Sequence, residues 1–347
     1  MAQTKPHVSP VSQWLFSLGW VIQRAARQPR RVPRHLFRVI EAAFRPLYGA
    51  ALRHNPIVRA QVWGQSLYMQ ANHHLPYIVS ANPMWSLPLI HAARALGKTP
   101  VQVIDVGANI GDTVALLESH LPGVCKYLCI EPDERFHALC EWNTAHNERV
   151  ALRQCFVADT GSSELIVEHR EPGTATTRIR GAAETSNGNG RRGETLDDLA
   201  ATLGGAPIDL IKIDTDGFDY KVLRSAVKTL QAHKPLLFFE WDPTLWKAQG
   251  EDPLDVFAFL GRFGYSSFVF FSDIGLFQTV LSPCDSASIE ALCSAAQARR
   301  GVDNVYFDVL AGPADLCNKA IQLNIEATRD CADRKQLWHR TQPAFWQ

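Results

Sequence analysis

The chain has 347 residues, 46% of them hydrophobic and 20% charged, which excludes a disordered or fibrous protein and leaves enough apolar material for a full core. The length allows one large catalytic domain with an appendage, or two domains. Net charge is zero, but residues 1–60 hold Lys5, Arg24, Arg27, Arg30, Arg31, Arg34, Arg38, Arg45, Arg53 and Arg59 against Glu41 alone, so this arm carries +9 and the remainder −9.

A basic arm on an acidic body suits an anionic partner: lipid headgroups, a polyanionic glycan or nucleic acid. Its apolar run, residues 14–22, is far shorter than the roughly 20 residues that a membrane-spanning helix needs. Its charges follow the apolar run instead of preceding it, so it does not read as a signal peptide. The run is expected to lie peripherally on a membrane, with Trp14, Leu15, Phe16, Leu18, Trp20 and Ile22 in the interface and Arg24, Arg27, Arg30 and Arg31 at the headgroups. Residues 61–100 are aromatic-rich, with Trp63, Tyr68, Tyr77 and Trp85, and contain the pair His73-His74.

From residue 101 the pattern becomes strand and helix in alternation. Strands are predicted at 101–106, 125–130, 150–157, 208–213, 236–240, 267–271 and 305–309, the last antiparallel. A hairpin is predicted around 164–168, followed by a loop through residues 187–190. Helices are predicted at 113–120, 133–146, 195–203, 219–232 and 253–263. This alternation predicts a doubly wound, mostly parallel α/β sheet whose ligands sit beyond the carboxyl ends of the strands. Five strands there end in an acid: Asp105, Glu131, Asp159, Asp214 and Glu240.

The first strand runs into Gly107, Ala108, Asn109, Ile110 and Gly111, small or turn-tolerant residues that let backbone pass close to a ligand. Gly107 is expected to remove a Cβ that would strike the ligand, and Asn109 to tolerate a positive φ. Glu131, ending the second strand, is placed to accept hydrogen bonds from ribose hydroxyls. A dinucleotide would rest its pyrophosphate on the helix start, but Asp112 stands there. An acid favours a cationic ligand, and S-adenosylmethionine carries a sulfonium and an amino group.

Four blocks in consistent order over about residues 100–245 resemble the FkbM family of methyltransferases. They are Val-Ile-Asp-Val-Gly-Ala-Asn-Ile-Gly-Asp-Thr (103–113), Ile-Glu-Pro-Asp (130–133) leading to Asn143, Glu-Thr-Leu-Asp-Asp-Leu (194–199), and Asp-Leu-Ile-Lys-Ile-Asp-Thr-Asp-Gly-Phe-Asp-Tyr-Lys-Val-Leu (209–223). One departure is Thr-Asp-Gly at 215–217, where Val-Glu-Gly is commoner in the family. The resemblance implies a class I, Rossmann-like fold of seven strands, S-adenosylmethionine as methyl donor, and a hydroxyl acceptor on a glycan, glycolipid or glycosylated metabolite. It implies cofactor contacts from Asp105, Gly107, Asn109, Gly111, Thr113, Glu131 and Asp159, the last on the adenine amino group. The basic leader and the region after about residue 275 match nothing in the family; composition and pattern divide the chain into a basic, partly helical or disordered leader (1–60), a lead-in covering the active site (61–100), the methyltransferase domain (101–312) and a C-terminal extension (313–347).

A hydroxyl acceptor needs a base or a Lewis acid as the methyl arrives. Asp214 and Glu240 are candidates for the base or for Mg²⁺ ligands, and His73 and His74 are alternative bases. Asp216 and Asp219 read equally as caps of the next helix, Lys212 as structural, and Trp241 and Trp246 as either sugar-stacking or core residues. A non-sugar small-molecule acceptor and a non-catalytic scaffold remain the competing readings. Nucleic acid is disfavoured, because the catalytic body is acidic and has no Asn/Asp-Pro-Pro-aromatic motif. The eight cysteines form no C-x-x-C pair, which suits buried thiols in a reducing compartment, with the cytoplasm as the default.

Overall fold

A computed structural model describes residues 6–27, 54–159, 164–170, 174–179, 191–283, 285–298 and 306–333. The side chains of Arg30, Arg31, Arg34, Arg38, Arg45, Arg53 and Cys284, and the loop at 187–190, lie outside the described residues, as do the side chains of Trp20, Ile22, Arg24 and Arg27.

After an N-terminal helix (Pro10–Arg27), strands β1 (Ile57–Val62) and β2 (Gln65–Gln70) form a hairpin. The main sheet contains β3 (Val101–Val106), β4 (Cys125–Ile130), β5 (Val150–Arg153), β9 (Leu210–Ile213), β10 (Leu236–Trp241), β11 (Ser267–Ser272), β12 (Phe277–Leu281) and β13 (Phe307–Gly312). A small sheet of β6 (Glu164–Arg170), β7 (Thr174–Ile179) and β8 (Arg191–Arg192) stands apart from it. The main sheet has eight strands in the order β12-β11-β13-β10-β9-β3-β4-β5. Strands β10, β9, β3, β4 and β5 pair in parallel, and β13 pairs antiparallel between β10 and β11. This is the expected doubly wound class I architecture, with β12 added at the edge as the return strand of a hairpin with β11.

Parallel strands covered by helices on both faces are apolar throughout. Ile104, Val106, Ile211, Ile213, Leu237 and Phe239 form one layer, and Val101, Val103, Tyr127, Leu210, Phe238 and Leu310 the other. The alternation continues to the carboxyl ends, where the second layer turns polar. Asp105 pairs with Lys212 in register, Lys212 with Phe238, and Glu240 with Asp308.

A third cluster fastens the N-terminal hairpin to the turn after β3: Val58, Val62, Leu67 and Met69 pack with Ile110, Phe136 and Leu139. Asn143 clamps the same junction, accepting from Tyr68 N at 2.7 Å and donating to Tyr68 O at 2.9 Å and Ile110 O at 2.8 Å.

The helix predicted over 219–232 is two helices, Asp219–Arg224 and Val227–His233. Asp197, from the 194–199 block, caps the second by accepting from Lys228 N at 2.9 Å, Thr229 N at 2.8 Å and Thr229 Oγ1 at 2.7 Å. Ser225, at the break, accepts from Leu196 N. Such a long-range cap leaves no local sequence signal. Among the described residues, no helix is long and apolar enough to cross a membrane, and the seven described cysteines are free.

Candidate active site

The turn after β3 takes φ of +83° at Gly107, +47° at Asn109 and +83° at Gly111. Gly107 N and Ala108 N donate to Ile130 O at 3.0 and 3.1 Å, drawing the turn against the end of β4. The clearance at Gly107 is demanded by the chain itself: a Cβ there would lie 1.9 Å from the Asp214 carbonyl oxygen. The fold thus requires this glycine independently of any ligand. At Gly111 a Cβ would press on Thr144 Cγ2 at 3.1 Å and Cys140 Sγ at 3.2 Å, so this glycine lets two helices approach.

Glu131 is buried at 6% exposure. Its Oε2 accepts from Asn109 N at 2.8 Å and its Oε1 from Asp133 N at 2.9 Å, leaving each oxygen with further acceptor capacity. Burial pushes its carboxyl up to about 8, against the opposing pull of those two amides. Its chain neighbours Ile130 and Pro132 line a small apolar cleft with Val106, Cys155, Val157 and Phe218. Asp159, expected at the adenine amine, pairs with Arg224, whose Nε lies 2.6 Å from Oδ2. Thr113 is buried in the first turn of the helix Asp112–His120.

His73 belongs to this turn. Leu75 N donates to His73 Nδ1 at 3.2 Å, so Nε2 carries the proton and donates to Asn109 Oδ1 at 3.4 Å. Burial lowers its pKa to about 4, and the ring is neutral. His73 therefore buttresses Asn109, and His74 is exposed at the start of the helix Leu75–Ala81. Neither lines the pocket that holds Asp214 and Glu240.

That pocket lies at the carboxyl ends of β9 and β10. Lys212 Nζ stands 3.3 Å from Asp105 Oδ1 and 3.3 Å from Asp214 Oδ2, and donates to Gly107 O at 3.3 Å. Its ammonium thus joins the turn after β3 to the strand end through one hydrogen bond and two ion pairs, and the two carboxylates hold its pKa above the usual lysine range. Burial pushes Asp105 up, and Lys212 opposes that shift. Glu240 is driven well above the ordinary carboxylate range by burial and then by Asp214 and other neighbouring acids. Asp308, its partner across β13, is raised for the same reasons, and burial lifts Asp112 to about 6.

The aromatic wall of the pocket is Trp63 stacked on Trp85, with centroids 6.0 Å apart and planes 5° from parallel. Trp63 and Gly64 form the tip of the β1–β2 hairpin, with φ of +49° and +76°. Positive φ at both central residues marks a type I′ turn, where asparagine, aspartate or glycine is usual. Trp241 and Trp246, by contrast, are fully buried core residues: Trp241 Nε1 donates to Pro253 O at 2.9 Å, and Trp246 stacks on Tyr220. Asp219 is buried, accepts from Gly217 N at 3.2 Å, and is raised to about 7 by burial. Asp242 caps the helix Pro243–Ala248.

Among the described residues, no group of three His, Cys, Asp or Glu side chains is placed to hold a metal ion. The cation between Asp105 and Asp214 is Lys212, so these residues do not fit a Mg²⁺ site built on Asp214 and Glu240. Sequence reading treated Lys212 as structural and passed over Trp63, Trp85, Tyr306 and Asp308 as site residues. The available signal was a lysine inside a buried apolar strand, two residues before a strand-end acid.

Residues 105–267 match the model of the methyltransferase FkbM domain. Among solved structures, the chain is similar to methyltransferase FkbM from Methylobacillus flagellatus KT, at 15% identity and a TM-score of 0.38, over 61% of this chain and 43% of that one. It thus spans less than half of that protein's length. It is also similar to the METTL16 methyltransferase domain (14% identity, TM-score 0.41, 72% of this chain and 73% of that one). A third similar structure is a SAM-dependent methyltransferase from Geobacter sulfurreducens in complex with S-adenosyl-L-homocysteine (13% identity, TM-score 0.33, 67% of this chain and 92% of that one). No curated protein matches the chain. By that match, residues 105–267, which begin in the glycine turn after β3, form a methyltransferase FkbM domain.

Proposed function

We propose that this methyltransferase transfers a methyl group to a hydroxyl of a sugar-containing acceptor: a glycan, glycolipid or glycosylated metabolite. The observation that carries this reading is the stacked Trp63–Trp85 wall standing in one pocket with Asp214 and Glu240. A flat aromatic surface suits the apolar face of a sugar ring, and carboxylates suit its hydroxyls.

S-adenosylmethionine, when bound, supplies an electrophilic methyl group. Glu131 accepts from the ribose, and the turn at 107–111 bounds the cofactor. Asp105, Asp112 and Thr113 border the end of the site nearest the strand tips. Asp214 has one oxygen anchored by Lys212 and a half-exposed side chain, so it orients the acceptor hydroxyl. Glu240, whose pKa burial and neighbouring acids have raised, is a stronger base than an ordinary carboxylate and takes the hydroxyl proton.

The test is transfer of labelled methyl from S-adenosylmethionine onto glycan and glycolipid fractions. Trp85→Ala should raise the acceptor KM and leave S-adenosylhomocysteine binding unchanged in calorimetry. Label appearing only on non-sugar small molecules would overturn the acceptor class.

A further inference from the structure

We propose that the helix Pro10–Arg27 is a docking element for the surface of an anionic lipid bilayer, lying in the interface with one apolar stripe facing the lipid. One side of the helix is already used. Gln13 Oε1 accepts from Arg59 N at 2.7 Å and Gln13 Nε2 donates to Arg59 O at 2.9 Å, so the side chain grips β1 like an extra strand residue. Phe16, on the same side, is only 3% exposed, which corrects its expected place in the lipid interface.

At about 100° per residue, Val11, Trp14, Leu15 and Leu18 fall within an arc of about 100° on the opposite side. Val11 is 66% and Trp14 63% exposed, well beyond the other exposed large hydrophobics among the described residues, Val227 at 41% and Val280 at 40%. Charge names the occupant. The first sixty residues carry +9 and the rest −9, so an anionic surface attracts the arm and repels the body, which orients the molecule on the helix. A second copy would bring a second +9 arm against the first. A nucleic acid would leave Val11 and Trp14 unexplained, whereas tryptophan beside arginine is the chemistry of the lipid interface.

The test is cosedimentation of the full chain with vesicles of phosphatidylcholine alone or of phosphatidylcholine mixed with phosphatidylglycerol. Binding is expected to the anionic vesicles only, and to weaken at high salt. The double variant Val11→Asp/Trp14→Asp should lose binding by about tenfold or more. Both residues are exposed, so near-UV circular dichroism and S-adenosylhomocysteine binding should match the wild type. Equal binding by variant and wild type, or no binding by the wild type, would overturn the proposal. So would concentration-dependent self-association that the variant abolishes without any vesicle binding, which would assign the stripe to a second copy.

Discussion

Gly107 passes so close to Asp214 that a Cβ on it would stand 1.9 Å from the Asp214 carbonyl oxygen and 2.9 Å from its carbonyl carbon. The turn after β3 and the carboxyl end of β9 are therefore one packed unit. Lys212 spans the same two segments from the side, reaching Gly107 O and Asp214 Oδ2.

Gly107→Ala should consequently fail as a fold before it fails as a binding site. The clash is with backbone, which cannot rotate away, and φ of +83° is unfavourable for alanine. A loss of about 3 kcal/mol is expected in urea denaturation, at the upper end for overpacking. A variant with wild-type stability that cannot bind S-adenosylhomocysteine would return the glycine to ligand clearance.

Lys212→Met leaves Asp105, which is fully buried, without its cation. Breaking a buried pair in this way costs about 3–5 kcal/mol. Adding Asp105→Asn should recover part of that loss, because the amide needs no countercharge. Two additive losses in the double variant would show that the pair is not coupled.

Glu131 gives the cofactor-free protein a pH dependence. Its carboxyl titrates near the ordinary glutamate value of 4.5 when unfolded, and burial pushes it up to about 8 in the folded chain. Between those values the unfolded chain has released a proton that the folded chain retains, so stability falls as pH rises. Asp112, raised to about 6, and Asp219, raised to about 7, act with the same sign over narrower windows. Urea midpoints measured from pH 5 to about 8 should decline in the wild type and decline less in Glu131→Gln. Parallel curves would remove Glu131 as a source.

Turnover should separate the two acceptor-side acids. Glu240→Gln is expected to cut kcat about 10²-fold, the usual contribution of a positioned base, and to abolish an acidic limb lying above the ordinary carboxylate range. Asp214→Asn should mainly raise the acceptor KM, by about tenfold, for the loss of a charged hydrogen bond. Chelation should leave both the wild type and the variants unchanged. If Asp214→Asn instead removes the acidic limb, the base is Asp214.

Much of the site was legible along the chain because class I sheets end their strands on ligands. Gly107, Asn109 and Glu131 could be read from one turn and one strand end, and Asn109 takes the positive φ expected of it. Asp214 and Glu240, 26 positions apart, could be paired because β9 and β10 were each predicted as strands ending in acids. His73 was not legible. A histidine at hydrogen-bond distance from Asn109 but 36 positions away has no local signature, and only its burial and its two partners show that it holds the turn.

What the sequence determined by itself was whatever depends on neighbours in the chain: strand and helix periodicity, the glycine turn, the strand-end acids and the charge split between arm and body. What only the tertiary structure decided was whatever depends on which segments meet. Asp197 caps a helix that begins 30 positions later, and Trp63 reaches from a hairpin tip to stack on Trp85 in one pocket with Asp214 and Glu240. Lys212 changes from a strand residue to the cation of a pocket lined by four acids once β3, β9, β10 and β13 lie side by side. The physical reason is that backbone propensity acts over a few residues. Steric contact, burial and Coulomb interaction act through space, between residues that folding alone brings together.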